Sequence, residues 1–331
     1  MMPEESRTTV ENIEKSLQLF NAQIVHKLGF PLSEKRTLDC IIKKDNEIVF
    51  MKVSKRTYTK HFVFKELKKL TEFLKINAVL IADRINDREV EEGVLHIRDR
   101  IGIVQPKTVK DFVKGDKVYI YEFKGMYYVK IDGKKLRELR IKKGYGLHEL
   151  ANAVGISVKA LQKYEDEAID MSVEKAYRFI EIFNNEFEQV IKEVDIFRDR
   201  IVENIDKRRE IVNDFRGNQE KIILVDKLVK QGVEAEFFDY IPSDIILSID
   251  KKKVFISIID RDMDNTTALS KSYENKHVSQ VLNGIAVNIV KDDVPGSIIR
   301  GVESCGIVYK YNDIINNIKT FKKEIEGEKT L

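Results

Sequence analysis

Six residues in one short stretch have the types and spacing of a surface that reads DNA: Ser157, Val158, Lys159, Ala160, Gln162 and Lys163. Lysines four apart share one side of a helix and suit phosphate or guanine contact. The Gln162 amide between them suits hydrogen bonding to a base edge. The Ser157 hydroxyl can cap a helix and meet a phosphate. Val158 and Ala160 complete the face expected to point outward.

The surrounding residues supply the elements that would hold this face. Gly146 can cap a helix, and Glu149 at its third position completes half of a capping box. Leu147, Leu150, Ala151 and Val154 recur at three and four residues and make one apolar stripe. Ala151 is small where a second helix must approach. Gly155 provides the positive φ that ends the first helix, and Ser157 caps the next, whose inward face is Leu161 and Tyr164. Helices are expected at Lys134–Lys143 before this pair and at Val173–Phe183 after it. An ordinary helical bundle uses similar parts, but the complete pattern favours a helix-turn-helix.

Leu136–Phe183 resembles the lambda-repressor-like, Cro-type helix-turn-helix family. The resemblance implies a DNA-binding module with double-stranded DNA as partner. The chain departs from the family at Leu147, where many members carry a phosphate-contacting polar residue, and at Val158, where a polar base-contacting residue is common. These departures bear on the operator rather than on the fold.

The 331 residues exceed one such module, so two or three domains are expected. A net charge of +3 argues against coating nucleic acid along the whole length and for a local basic patch. The two cysteines, Cys40 and Cys305, lack metal spacing and are expected as buried free thiols. The five histidines show no ligand pairing. No nucleotide-binding or nucleophile motif occurs, so no cofactor is expected. No secretory signal or membrane span is expected, which implies a cytoplasmic protein.

Two distant segments align without gaps. Leu38–Val53 lies on Ser243–Ile258, each reading as two strands around a charged turn at Asp45-Asn46 or Asp250-Lys251. Each is followed by a helix, Val63–Leu74 or Ser270–Leu282, then a strand, Ala78–Ala82 or Ala286–Val290. Each closes with Gly102-Ile103-Val104 or Gly306-Ile307-Val308 and a helix. A helix is expected before each, at Val10–Leu28 and Glu220–Lys230. Convergence could give this order, but duplication of an α/β unit with a mixed sheet explains it better.

This order resembles the restriction-endonuclease-like fold with its PD-(D/E)xK core, which implies an acid on one strand and an acid and lysine on the next, holding a metal and an attacking water. Asp39 and Lys52 occupy two of those places, but Phe50 stands where the second carboxylate belongs. In the other copy Asp244 is followed by Phe255-Ile256-Ser257, with neither acid nor lysine. Both copies are therefore expected to be inactive, with no catalytic or metal-binding residue, unless Glu66 on the following helix supplies a carboxylate.

Val118–Ile131 reads as a β-hairpin beside the module, a wing through Lys124 and Lys130 being the alternative to sheet packing. Glu186–Asn213 reads as a long helix with Val190, Val194, Phe197, Ile201 and Ile205 on one side, either a packing helix or a dimer seam. The fold class is thus α/β plus all-α. A nuclease-like α/β domain spans 1–117, a hairpin connector 118–132, the helix-turn-helix domain 133–185, a linker helix 186–216 and the second α/β domain 217–323. The whole arrangement is similar to an archaeal family of Cro-type transcriptional regulators. It implies a non-enzymatic, sequence-specific regulator acting as a homodimer on half-sites about 34 Å apart, with an unknown effector. The rivals are a metal-dependent nuclease using Asp39, Lys52 and Glu66, and an assembly protein.

Overall fold

Asp250 and Lys251 both adopt positive φ, as a two-residue hairpin turn between right-twisted strands requires. They join the strands Ile245–Ile249 and Lys252–Ile259, and Asn46 takes the same left-handed conformation between Cys40–Lys44 and Glu47–Thr57. The computed structural model describes residues 22–31, 36–44, 46–99, 101–199 and 219–327.

In the first α/β unit the chain runs β1 (Ala22–Lys27), β2 (Cys40–Lys44), β3 (Glu47–Thr57), α1 (Phe62–Leu74), β4 (Asn77–Ile85), β5 (Arg88–Glu89), β6 (Val94–Arg98), β7 (Ile101–Val104) and α2 (Pro106–Val113). Then come β8 (Ile120–Phe123), β9 (Met126–Ile131), α3 (Gly133–Lys142), α4 (Leu147–Ala153), α5 (Val158–Glu165), β10 (Met171–Ser172), α6 (Val173–Phe183), a 3-10 helix at Asn184–Val190 and β11 (Ile191–Lys192). The second unit runs α7 (Gln219–Lys230), β12 (Glu234–Phe237), β13 (Ile245–Ile249), β14 (Lys252–Ile259), α8 (Asn265–Val281), β15 (Ile285–Val290), α9 (Gly296–Glu303), β16 (Ile307–Lys310), α10 (Tyr311–Asn316) and α11 (Ile318–Gly327).

The two units share topology and register. Strands β1-β2-β3-β4-β7 lie side by side, as do β12-β13-β14-β15-β16. In each, the first two pairings are antiparallel and the last two parallel. Cys40 pairs with Met51 as Ile245 pairs with Ile256, all at positions matched by the gapless alignment, and the matched Val49 and Val254 pair in parallel with the first residues of the next strands, Asn77 and Ile285. The central strands are apolar on both sides because helices cover both faces. In the first unit α1 packs on Phe50, Leu80 and Ala82, while Met51, Val53 and Ile81 face the core that contains α2.

Several expectations fail. Residues 22–27 form strand β1 rather than the end of a helix at 10–28, and residues 10–21 lie outside the described residues. The hairpin β8–β9 is no separate connector: β8 pairs in parallel with β6, so the hairpin extends the first sheet and covers what would be an edge. The helix expected over 186–213 is absent from 186–199, which holds the 3-10 turn, β11 and an irregular stretch. There Val194 and Phe197 fill the core beneath α2, so their three-residue spacing reflects burial rather than helical phase. Ile201 and Ile205 lie outside the described residues. Both cysteines are buried. Among the described residues no helix is long and apolar enough to cross a membrane.

The helices α3 to α6 pack around Leu136, Leu150, Ala151, Leu161 and Phe179. The expected caps form: Glu149 accepts from Gly146 N at 2.7 Å and Ser157 Oγ accepts from Ala160 N at 3.1 Å. Gly155 has φ 66° in the turn between α4 and α5. A buried ion pair locks α5 to α3: Arg140 donates to both carboxylate oxygens of Glu165, at 2.6 and 3.1 Å, and Arg137 donates at 3.0 Å. Gly133 allows this approach, since a Cβ there would lie 2.3 Å from Glu165 O. Burial pushes the Glu165 carboxyl up, but its bonds to Arg140 and Arg137 outweigh this and hold it below its ordinary value. The stability it contributes is present above the ordinary carboxyl range and is lost as pH falls through the lowered folded value. Truncating either side of this pair takes from a buried charge its two-bond partner. Arg140→Ala or Glu165→Ala should therefore cost about 3–5 kcal/mol in denaturant unfolding; a loss under about 1 kcal/mol would show that the pair is not a lock.

Candidate functional site

Two clusters hold the residues singled out by the sequence. In the first, α5 presents Ser157, Lys159, Gln162 and Lys163 to solvent. Val158 and Ala160 differ from expectation: both are half-buried and pack against the helical core. An eight-residue helix seated on α3 and α4 buries a wide stripe, and these two positions border Leu161. The outward face is therefore narrower and more polar than the sequence suggested.

The charge pattern of the helical segment separates this face from its surroundings. Lys134, Lys135, Arg137, Arg140, Lys142, Lys143, Lys175 and Arg178 all pair with carboxylates. Among the described residues, Lys159 and Lys163 have no carboxylate partner. The acids that follow α5 are engaged as well: Asp166 with Arg137, Glu167 with Lys192 and Gly133 N, and Asp170 with the Tyr121 hydroxyl. The wing alternative loses one of its cations, since Lys130 pairs with Asp199 at 2.5 Å.

The second cluster lies where β2 begins. Asp39 is buried and accepts from Val53 N at 2.8 Å and Lys52 Nζ at 3.2 Å, with Arg36 Nε at 3.4 Å. Phe50 is buried in the core at the expected carboxylate position. Glu66 accepts from Thr37 Oγ1 at 2.8 Å, Asp239 N at 2.8 Å and Tyr240 N at 2.9 Å, so it ties the first unit to a loop of the second. Burial pushes its carboxyl up against the opposing pull of these bonds. Among the described residues no three acidic, histidine or cysteine side chains are grouped to hold a metal. Asp39 is held by two cations and a backbone donor, so a divalent ion there would have to displace Lys52 and Arg36.

The second unit repeats the buried aspartate and its backbone donor but draws both cations from other elements. Asp244 accepts from Ile258 N at 2.6 Å, the counterpart of the Asp39–Val53 bond. The sequence suggested that this copy lacks the lysine. Instead Lys271 of α8 reaches Asp244 at 2.5 Å, with Lys221 of α7 at 2.7 Å. Continuing the gapless alignment sets Lys52 on Ser257 and Glu66 on Lys271, so the cation has moved from strand to helix. Extending the alignment into the helix would have found Lys271; Arg36 carried no comparable signal.

Residues 7–118 match the PD-(D/E)XK superfamily domain. This agrees with the expected likeness of the first unit to the PD-(D/E)xK core and overturns the expectation of a non-enzymatic chain, because that superfamily is one of enzymes. The chain is also similar to archaeal proteins provisionally named HTH-type transcriptional regulatory proteins. It is 38% identical to one from Pyrococcus horikoshii over 41% of this chain and 43% of that protein. It is 27% identical to one from Methanocaldococcus jannaschii over 79% of this chain and 81% of that one. It is 25% identical to one from Saccharolobus solfataricus over 89% and 91% of the two chains. No solved structure matches.

The Asp39 cluster predicts a thermodynamic cycle. Asp39→Asn leaves Lys52 and Arg36 buried without their counter-charge and should cost about 3–5 kcal/mol. Adding Lys52→Met should recover part of that loss. Additive losses in denaturant unfolding would show that the two side chains are not coupled.

Proposed function

We propose that this chain is a DNA-binding transcriptional regulator that reads duplex DNA with α5. The observation that carries the reading is the charge pattern: the two lysines on α5 are the cations of the helical segment left without carboxylates. Unpaired lysines at helical spacing are available to phosphates and release counterions on binding. Gln162 lies between them for a base edge, and Ser157 stands at the helix start. In this reading 133–185 is a lambda-repressor-like, Cro-type helix-turn-helix domain, flanked by the α/β domains at 1–117 and 217–323. The narrow basic face favours a homodimer, which doubles the contact on half-sites about 34 Å apart. Such a regulator acts in the cytoplasm.

The test is binding of the full chain to duplex DNA selected from genomic fragments. Lys159→Ala/Lys163→Ala should weaken binding and lower the slope of log affinity against log salt by roughly 0.9 per lost phosphate contact. Unchanged affinity and slope would remove α5 as the reader.

The superfamily match at 7–118 favours a second reading, cleavage of phosphodiester bonds in the DNA so bound. Incubation with duplex and branched DNA plus magnesium or manganese tests it. Cleavage abolished by Asp39→Asn, in protein shown to be folded, would establish that reading; intact DNA under all conditions would reject it.

A further inference from the structure

Strand β3 runs past the Asp39 cluster, and near its end it carries Arg56, which has no ion-pair partner among the described residues. Side chains alternate along a strand, so Lys52, Ser54 and Arg56 point to one face of the sheet. Arg56 is the register partner of Arg84 on the parallel strand β4, which sets two guanidinium groups on neighbouring strands of that same face. Like charges placed so are destabilising unless something neutralises them. Among the described residues neither arginine has an ion-pair partner. Glu89, the register partner of Arg84 on β5, makes no ion pair with it.

The groups are positioned rather than loose. Arg56 donates to the Tyr58 hydroxyl at 3.1 Å and lies 6.0 Å from the centre of that ring, which is itself exposed. Arg84 donates through Nη2 to Asp87 O at 2.8 Å, while its buried Nε has no acceptor. Asn86 joins the two strand ends: its N donates to Thr57 O at 2.7 Å, and its Oδ1 accepts from Thr59 N at 3.2 Å. That brings exposed Lys60, which among the described residues has no ion-pair partner, to the same rim.

We propose that Arg56, Lys60 and Arg84, with Tyr58, form a second nucleic-acid contact that grips the phosphodiester backbone beside the Asp39–Lys52 pair. Guanidinium groups suit phosphate through their forked donors. The proposal rests on the reading of DNA as the partner, but it is independent of α5.

The experiment titrates the full chain against a duplex of about 30 base pairs, following fluorescence anisotropy across a salt series. Arg56→Gln/Lys60→Gln/Arg84→Gln should lower the salt slope by roughly 2–3, while Arg56→Lys/Arg84→Lys keeps most of it. The single exposed change Arg56→Gln, which leaves the fold least disturbed, should lower the slope by roughly 0.9. Wild-type affinity and slope in the triple variant would overturn the proposal and point the rim at an acidic protein instead. Loss in the triple variant together with unchanged binding in Lys159→Ala/Lys163→Ala would uphold the rim while rejecting α5. Loss in the α5 variant alone would do the reverse.

Discussion

A carboxylate buried at the start of a strand must find charge and hydrogen-bond partners inside the protein, and both α/β units are organised around that requirement. Asp39 and Asp244 each accept a backbone N–H from the neighbouring strand, at Val53 and Ile258. Each also holds two cations. The first unit supplies them from β3 and the preceding loop, the second from α7 and α8. Since the backbone bond and strand register are the same in both, the lysine can change its element without changing the local charge balance. The same strand arrangement around a buried aspartate is thereby kept in both units although the cations come from different elements.

The same economy joins the two units. Glu66 takes backbone N–H groups from residues 239 and 240 of the second unit, and Glu274 accepts from Gly29 N at 2.7 Å and His26 at 2.6 Å in the first. Phe50, Leu70, Ile241, Phe255 and Val278 share one apolar core across this seam. The two related domains therefore meet through corresponding helices, each lending a glutamate to the other's loop. The helical segment is attached through β9, whose partners are β8, β10 and β11, so α5 is carried by the first sheet rather than by a free linker.

What the sequence made legible was local. The helix-turn-helix spacing, its Gly155 turn and its caps are encoded within a few residues, and the matched hairpins are encoded by alternating apolar runs around positive-φ turns. Contacts between distant residues were not legible. Arg140 and Glu165 look like two ordinary helix charges until folding buries them together, and Glu66 looked like a metal ligand until a loop from residues 239–240 claimed it. Val190, Val194 and Phe197 mimicked a helix because an irregular chain also buries apolar residues at short intervals. The narrower α5 face has the same origin, since Val158 and Ala160 are half-buried only once the helical core around α5 is in place.

The central claim is that α5 is the surface in contact with DNA. Site-specific photo-crosslinking tests it most directly, with a photoreactive group at Gln162 of the full chain and a control at exposed Tyr177 on α6. On duplex DNA bound by the protein, the account predicts crosslinks from position 162 that vanish at high salt, and none from position 177. Crosslinks from 177 with none from 162 would contradict it.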